Sequence, residues 1–162
     1  MTEGQGDLYP ADGRWIEGVF HYPIRVYYED TDLGGMVYHG RYVSYFERVR
    51  TESIRGTVLD VDSLMERGAA DGGPLIYVVR GINITYHAQA RVGDVLTGHS
   101  MVARVRAAAV EARQWITRGD MMVAEADVVV AVVGEDGRPR RWPKPAHALW
   151  RDWYEKAHAS GE

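Results

Sequence analysis

Glu29, Asp30 and Asp32 put three carboxylates into four residues, and Gly34-Gly35 follow at once. Tyr38-His39 then leads into a run that favours helix from about Tyr42 to Arg55. A carboxylate is thus delivered close to a helix start, where backbone N–H groups without intrahelical partners can polarise a bound carbonyl. The combination points to acyl chemistry. A carboxylate can attack an activated carbonyl or take a proton from water, and a helix-start amide can stabilise the resulting oxyanion. By residue type alone, Asp30, Thr31 and Asp32 also suit a turn or a helix cap, and His39 suits a surface position beside one.

The elements that must carry these residues can be read from pattern. Residues 1–17 read as a flexible tail and 18–159 as a single domain. Val19 to Tyr28 alternates as a strand, with Tyr28 at its end, and Glu29 to Gly35 is a loop. In the long helix, Tyr42, Tyr45, Phe46, Val49 and Ser53 recur at spacings of three and four, which predicts one buried face. Arg48 and Glu52 are spaced for a surface ion pair, and Gly56 closes the helix. A short helix from Val61 to Arg67, ended by Gly68, precedes the breaker Asp71-Gly72-Gly73-Pro74. Strands follow over Leu75–His87, Val95–Arg106, Ala109–Thr117 and Met122–Val133, and a terminal helix spans Pro145 to Ala159. Strand, long helix and a run of antiparallel strands make an α+β pattern in which a curled sheet must cover the helix.

Composition narrows the function classes. The 162 residues carry a net charge of −4, which gives no reason to expect nucleic acid binding. With no cysteine, disulfides, thiolate catalysis and a thiolate zinc site are excluded. Metal-ligand spacing is missing around His87 and His99, so neither a metal nor a cofactor is expected. Met1 to Gly13 lacks the charged-then-apolar order of a signal peptide, and no apolar run reaches the roughly 20 residues a bilayer span needs. A cytoplasmic protein without stable membrane insertion is the expectation.

The segment Tyr27-Tyr28-Glu29-Asp30-Thr31-Asp32-Leu33-Gly34-Gly35-Met36-Val37-Tyr38-His39, with Glu47-Arg48-Val49-Arg50-Thr51-Glu52 after it, resembles the hot-dog-fold acyl-CoA thioesterases of the 4-hydroxybenzoyl-CoA thioesterase family. Within that family it is most similar to the Tol–Pal-associated (YbgC-type) branch. The resemblance implies a hot dog fold, hydrolysis of an acyl-CoA thioester, and a homodimer or homotetramer with sites at subunit interfaces. It also leaves room for an acyl-carrier protein as partner. It implies catalytic roles for Asp32, His39 and Tyr28, with Gly34, Gly35 and Tyr38 lining the substrate site. Asp32 acts either as nucleophile or as general base, and the His39 N–H polarises the carbonyl. A non-catalytic acyl-binding module on the same fold is the alternative, and a dehydratase would need a helical His and acid arrangement absent here.

Three further features bear on the site. Glu47 and Glu52 are rival carboxylates on the long helix, but they stand among Arg48, Arg50 and Arg55, where ion pairing explains them. Coenzyme A phosphates would seek Arg104 and Arg106, or Arg138, Arg140, Arg141 and Lys144, the latter group around Trp142, which is placed to stack on an adenine. Gln89 stands where relatives commonly carry proline, restoring a backbone N–H at that point.

Overall fold

In the computed structural model, residues 12–70 and 73–159 are described, side chains of 67–70 excepted. Among these residues, six antiparallel strands form one sheet in the order β1-β2-β4-β5-β6-β3. These are β1 (Arg14–Ile16), β2 (Val19–Arg25), β3 (Ile76–Tyr86), β4 (Val95–Val105), β5 (Ala109–Arg118) and β6 (Met121–Val133). Helix α1 (Arg41–Ile54) lies on the concave face against β2 and β4. Helix α2 (Val61–Ala70) follows it, and α3 (Lys144–His158) packs beside β4. This is the hot dog arrangement, with an added C-terminal helix.

The periodicity of α1 sets its seat. Tyr42, Tyr45, Phe46, Val49 and Ser53 are all buried, so the predicted face is the one that meets the sheet. Gly98 on β4 makes that contact close, since a Cβ there would collide with Val49. The core strands alternate as their sequence demands: Leu96, Gly98, Ser100 and Val102 of β4 point inward while the residues between them are less buried. Among the described residues no helix is long and apolar enough to cross a membrane.

Several expectations change. The tail expected through residue 17 gives way to strand β1, because Arg14–Ile16 pairs with Val19–His21 and the Trp15 ring stacks on Trp153 at 4.2 Å. The first long strand stops at Arg25; Tyr28–Asp30 is instead a 3-10 turn. Helix α2 runs through Gly68 to Ala70, so that glycine does not end it. Glu52 pairs with Arg55 at 2.7 Å rather than with Arg48, because the last turn of α1 brings the three-residue neighbour closer. Trp142 is buried against Trp150 and Tyr77 and has no free face for an adenine. Arg106 is engaged with Glu111, and Arg140 with Asp136.

Candidate active site

The loop between β2 and α1 is a short ladder closed by a turn. Asp32 N–H donates to the Met36 carbonyl, Tyr38 N–H donates to the Asp30 carbonyl, and Thr31 bridges Val37. At the closed end, Gly35 takes φ +72° and its N–H returns to the Asp32 carbonyl, a conformation that glycine adopts without a Cβ penalty. Asp32 Oδ1 accepts the Gly34 N–H at 2.8 Å and the Met36 N–H at 3.4 Å. The residue therefore does form the turn its type suits. The same bonds fix the carboxylate while Oδ2 has no partner among the described residues. Asp32 is exposed, and Leu33 beside it is fully exposed at 109%.

The ladder's other strand leads into α1. Asp32 lies opposite Met36, three residues before His39, at most about 10 Å of extended chain. Gly40 is the N-cap of α1 and offers no side-chain cap. One residue earlier, the His39 N–H has no acceptor among the described residues, and the His39 carbonyl accepts the Tyr86 hydroxyl at 2.9 Å. The exposed Tyr38 ring lies 4.4 Å from the His39 ring. An unpaired amide just ahead of a helix, at its positive end, suits a developing negative charge. A cleft lined by Glu29, Thr31, Tyr38, Gly40, Arg41 and Ser44 opens beside it.

Tyr28 is 85% exposed at the start of the 3-10 turn, so it does not end the strand as expected. Its carbonyl receives the Thr31 N–H and hydroxyl, and among the described residues no hydrogen bond joins its side chain to Asp32 or His39. The residue that sequence reasoning missed is Asp30, taken only as a turn former. It is 1% exposed; Oδ2 accepts the Tyr27 N–H at 2.8 Å, and Oδ1 lies 3.1 Å from Arg41 Nε. Arg41 also donates to the Glu29 carbonyl. Asp30 thereby ties the 3-10 turn to the first turn of α1. The Tyr45 hydroxyl next to it is pushed up in pKa, chiefly by burial and then by the Asp30 carboxylate. No local signal marks Asp30 as the inward member of Asp-Thr-Asp, since its burial comes from α1 folding back over the turn.

The rival carboxylates on α1 have other partners. Glu47 accepts the Thr51 hydroxyl at 2.7 Å and Glu52 holds Arg55. Among the described residues, no group of three or more His, Asp or Glu stands together as a metal site.

Residues 34–125, more than half of the chain, match the thioesterase superfamily. The acyl-CoA thioesterase YbgC of Haemophilus influenzae is 37% identical over 136 residues, 83% of this chain and 96% of that protein. A probable thioesterase from Bartonella henselae superposes with a TM-score of 0.70 at 36% identity, covering 76% of this chain and 98% of the other. The Staphylococcus aureus protein SAV2348, solved in complex with CoA, gives a TM-score of 0.77 at 14% identity, over 92% and 89% of the two chains, and speaks to the fold alone.

Proposed function

The chain belongs to the thioesterase superfamily, and on that premise we propose that it hydrolyses acyl-CoA thioesters to a free carboxylic acid and coenzyme A. The observation that carries this reading is the pairing of an open Asp32 oxygen with the acceptor-free His39 N–H across one short ladder. A thioester carbonyl between them meets a carboxylate on one side and a helix-start donor on the other. The His39 amide polarises the carbonyl, a contribution of about 3 kcal/mol to the transition state. Asp32 Oδ2 then either attacks the carbonyl carbon or takes a proton from the attacking water. Gly34 and Gly35 keep side chains away from the reacting group, and Tyr38 flanks it. Tyr28, whose hydroxyl has no partner among the described residues, serves as a hydroxyl donor to the leaving group.

The site works as part of a pair of chains. Strand β3 lies at the sheet edge with its outer hydrogen-bonding side open, and Ile76, Val78, Val79, Ile82 and Tyr86 are exposed along it. Such an edge favours pairing with a second copy across a two-fold axis. The exposed catalytic loop then gains a wall from the partner copy.

Thiol release from a panel of acyl-CoA substrates, read beside light scattering, tests both statements. Turnover by a dimer or larger assembly is the expected outcome. Binding of acyl-CoA without thiol release would make the protein a binding module, and a fully active monomer would remove the interface from the site.

A further inference from the structure

Helix α1 covers β2 and β4 and reaches β5 through buried Gln114, and a cavity of about 280 Å³ lies between its C-terminal half, the sheet from β3 to β6 and Trp150 of α3. Glu47, Arg50, Thr51 and Ile54 line it from the helix, and Ala112 and Val130 form part of its floor. Its far end is an aromatic wall. Trp150 and Trp15 both line the cavity; Trp150 packs edge-on against Trp142 and Trp153, and Trp15 stacks on Trp153.

One face of α1 runs from the loop beside Asp32 to the cavity. Gly40, Val43, Ser44, Glu47, Thr51 and Ile54 follow each other at helical spacings, with Gly40 and Ser44 lining the cleft beside the site and Glu47 onward lining the cavity. Opposite this stripe, alternate residues of β3 run the same course. Tyr86 sits at the His39 end through its hydroxyl, and Tyr77 and Val79 sit at the cavity end. The groove is about 10 Å long from the start of α1 to Glu47 at the helical rise of about 1.5 Å per residue.

We propose that this cavity is the acyl chamber of the enzyme and that its substrates are long unbranched aliphatic acyl-CoAs, with Trp150 as the end wall that limits chain length. The inference rests on the thioesterase reading above. An extended chain advances roughly 1.2 Å per bond, so about eight carbons are spent in the groove before the cavity is reached. A cavity of about 150 Å³ suffices for benzene, so the volume here accommodates roughly as many carbons again as the groove does. Short acyl groups stay in the groove and never touch the chamber. A bulky polar acyl group meets a lining that is mostly apolar, its polar side chains being Glu47, Arg50 and Thr51 on the helix and buried Ser53 and Ser100.

Ala112→Leu fills the floor far from Asp32 and His39. With butanoyl-CoA and tetradecanoyl-CoA, the latter below its micelle concentration, the variant is expected to lose at least about tenfold in kcat/KM on the long substrate and to stay within about twofold of the parent on the short one. Calorimetric binding of the two thioesters to the parent protein and to Ala112→Leu runs alongside, so that a poorly folded variant is recognised by its loss of butanoyl-CoA binding as well. In that event Trp150→Phe, which widens the end wall conservatively, must shift preference toward the longer of tetradecanoyl- and octadecanoyl-CoA. If the parent turns over butanoyl-CoA but binds tetradecanoyl-CoA no more tightly, or Ala112→Leu affects both substrates equally, the chamber assignment fails and the hydrolase reading stands. If it binds the long thioester tightly, loses that binding in Ala112→Leu, and hydrolyses neither substrate, the chamber stands and the hydrolase reading fails.

Discussion

At the N-terminal end of α1 the chain exposes Asp32, Leu33, Tyr38 and His39, whereas around the C-terminal end it buries Leu59, Leu64, Trp142, Trp150 and Trp153. The first end is held by backbone hydrogen bonds, two glycines and one buried carboxylate. The second is held by aromatic edge and stacking contacts among Trp15, Trp142, Trp150 and Trp153, which are four of the five tryptophans. The contrast separates where burial resides from where the proposed chemistry would take place. The loop that carries Asp32 can remain open because the sheet and the aromatic end supply the burial that the loop forgoes.

Trp153→Ala strikes the stable end and carries the largest expected effect. Removing a large buried aromatic side chain costs about 3–5 kcal/mol, visible as a lower denaturant midpoint. The folded fraction should keep its turnover on a short acyl-CoA, because Trp153 is remote from the loop. A parallel loss of kcat per folded molecule would show that the two ends are coupled.

Asp30→Asn probes a buried polar pin of the open end. The change keeps the size but removes the charge that faces Arg41, at a cost of about 2 kcal/mol in stability. Turnover should fall by no more than about tenfold, since the reacting groups remain. A loss of kcat as large as that of a catalytic carboxylate, with unchanged stability, would move Asp30 from pinning the loop to doing the chemistry.

A third test uses the outer face of the sheet, away from both ends. His99 stacks on Trp115 at 5.0 Å, meets His21 edge-on at 4.7 Å, and has its pKa lowered to about 4, by burial first and then by His21. Between about pH 6.5 and pH 4 the unfolded chain takes up a proton that folded His99 refuses, so stability is full above that window and falls as pH drops through it. The loss by pH 4 is on the order of 1–3 kcal/mol. Denaturation midpoints measured against pH should flatten in His99→Gln; an unchanged acid slope in that variant would assign the dependence to other groups.

The parts of the fold visible in the sequence were those fixed by local periodicity. The buried face of α1 and the strands from Ile76 to Val133 lie within one or two residues of where alternation put them, because each residue's side is decided by its neighbours in sequence. Strand β1 was not visible, since three residues carry little pattern and their pairing depends on β2 and on Trp153. The inward turn of Asp30, the outward turn of Tyr28 and the burial of Trp142 were hidden for the same reason. Each follows from a distant element: α1 in the first case, and β3 and α3 in the last. At the candidate site, local residue types showed a turn at Asp32 and Gly34-Gly35, which the structure has, while the roles given to Asp32 and His39 came from the family motif.

The most direct test of the account is the kcat of Asp32→Asn on an acyl-CoA, measured beside that of Glu47→Gln. Asparagine preserves the size of the side chain and an Oδ1 acceptor for the Gly34 N–H, but not the negative charge. The account predicts a folded protein that still binds acyl-CoA, with kcat lowered by at least about 10²-fold, while Glu47→Gln remains near the parent. Near-normal turnover in Asp32→Asn together with an inactive, folded Glu47→Gln would place the chemistry on α1 and contradict it.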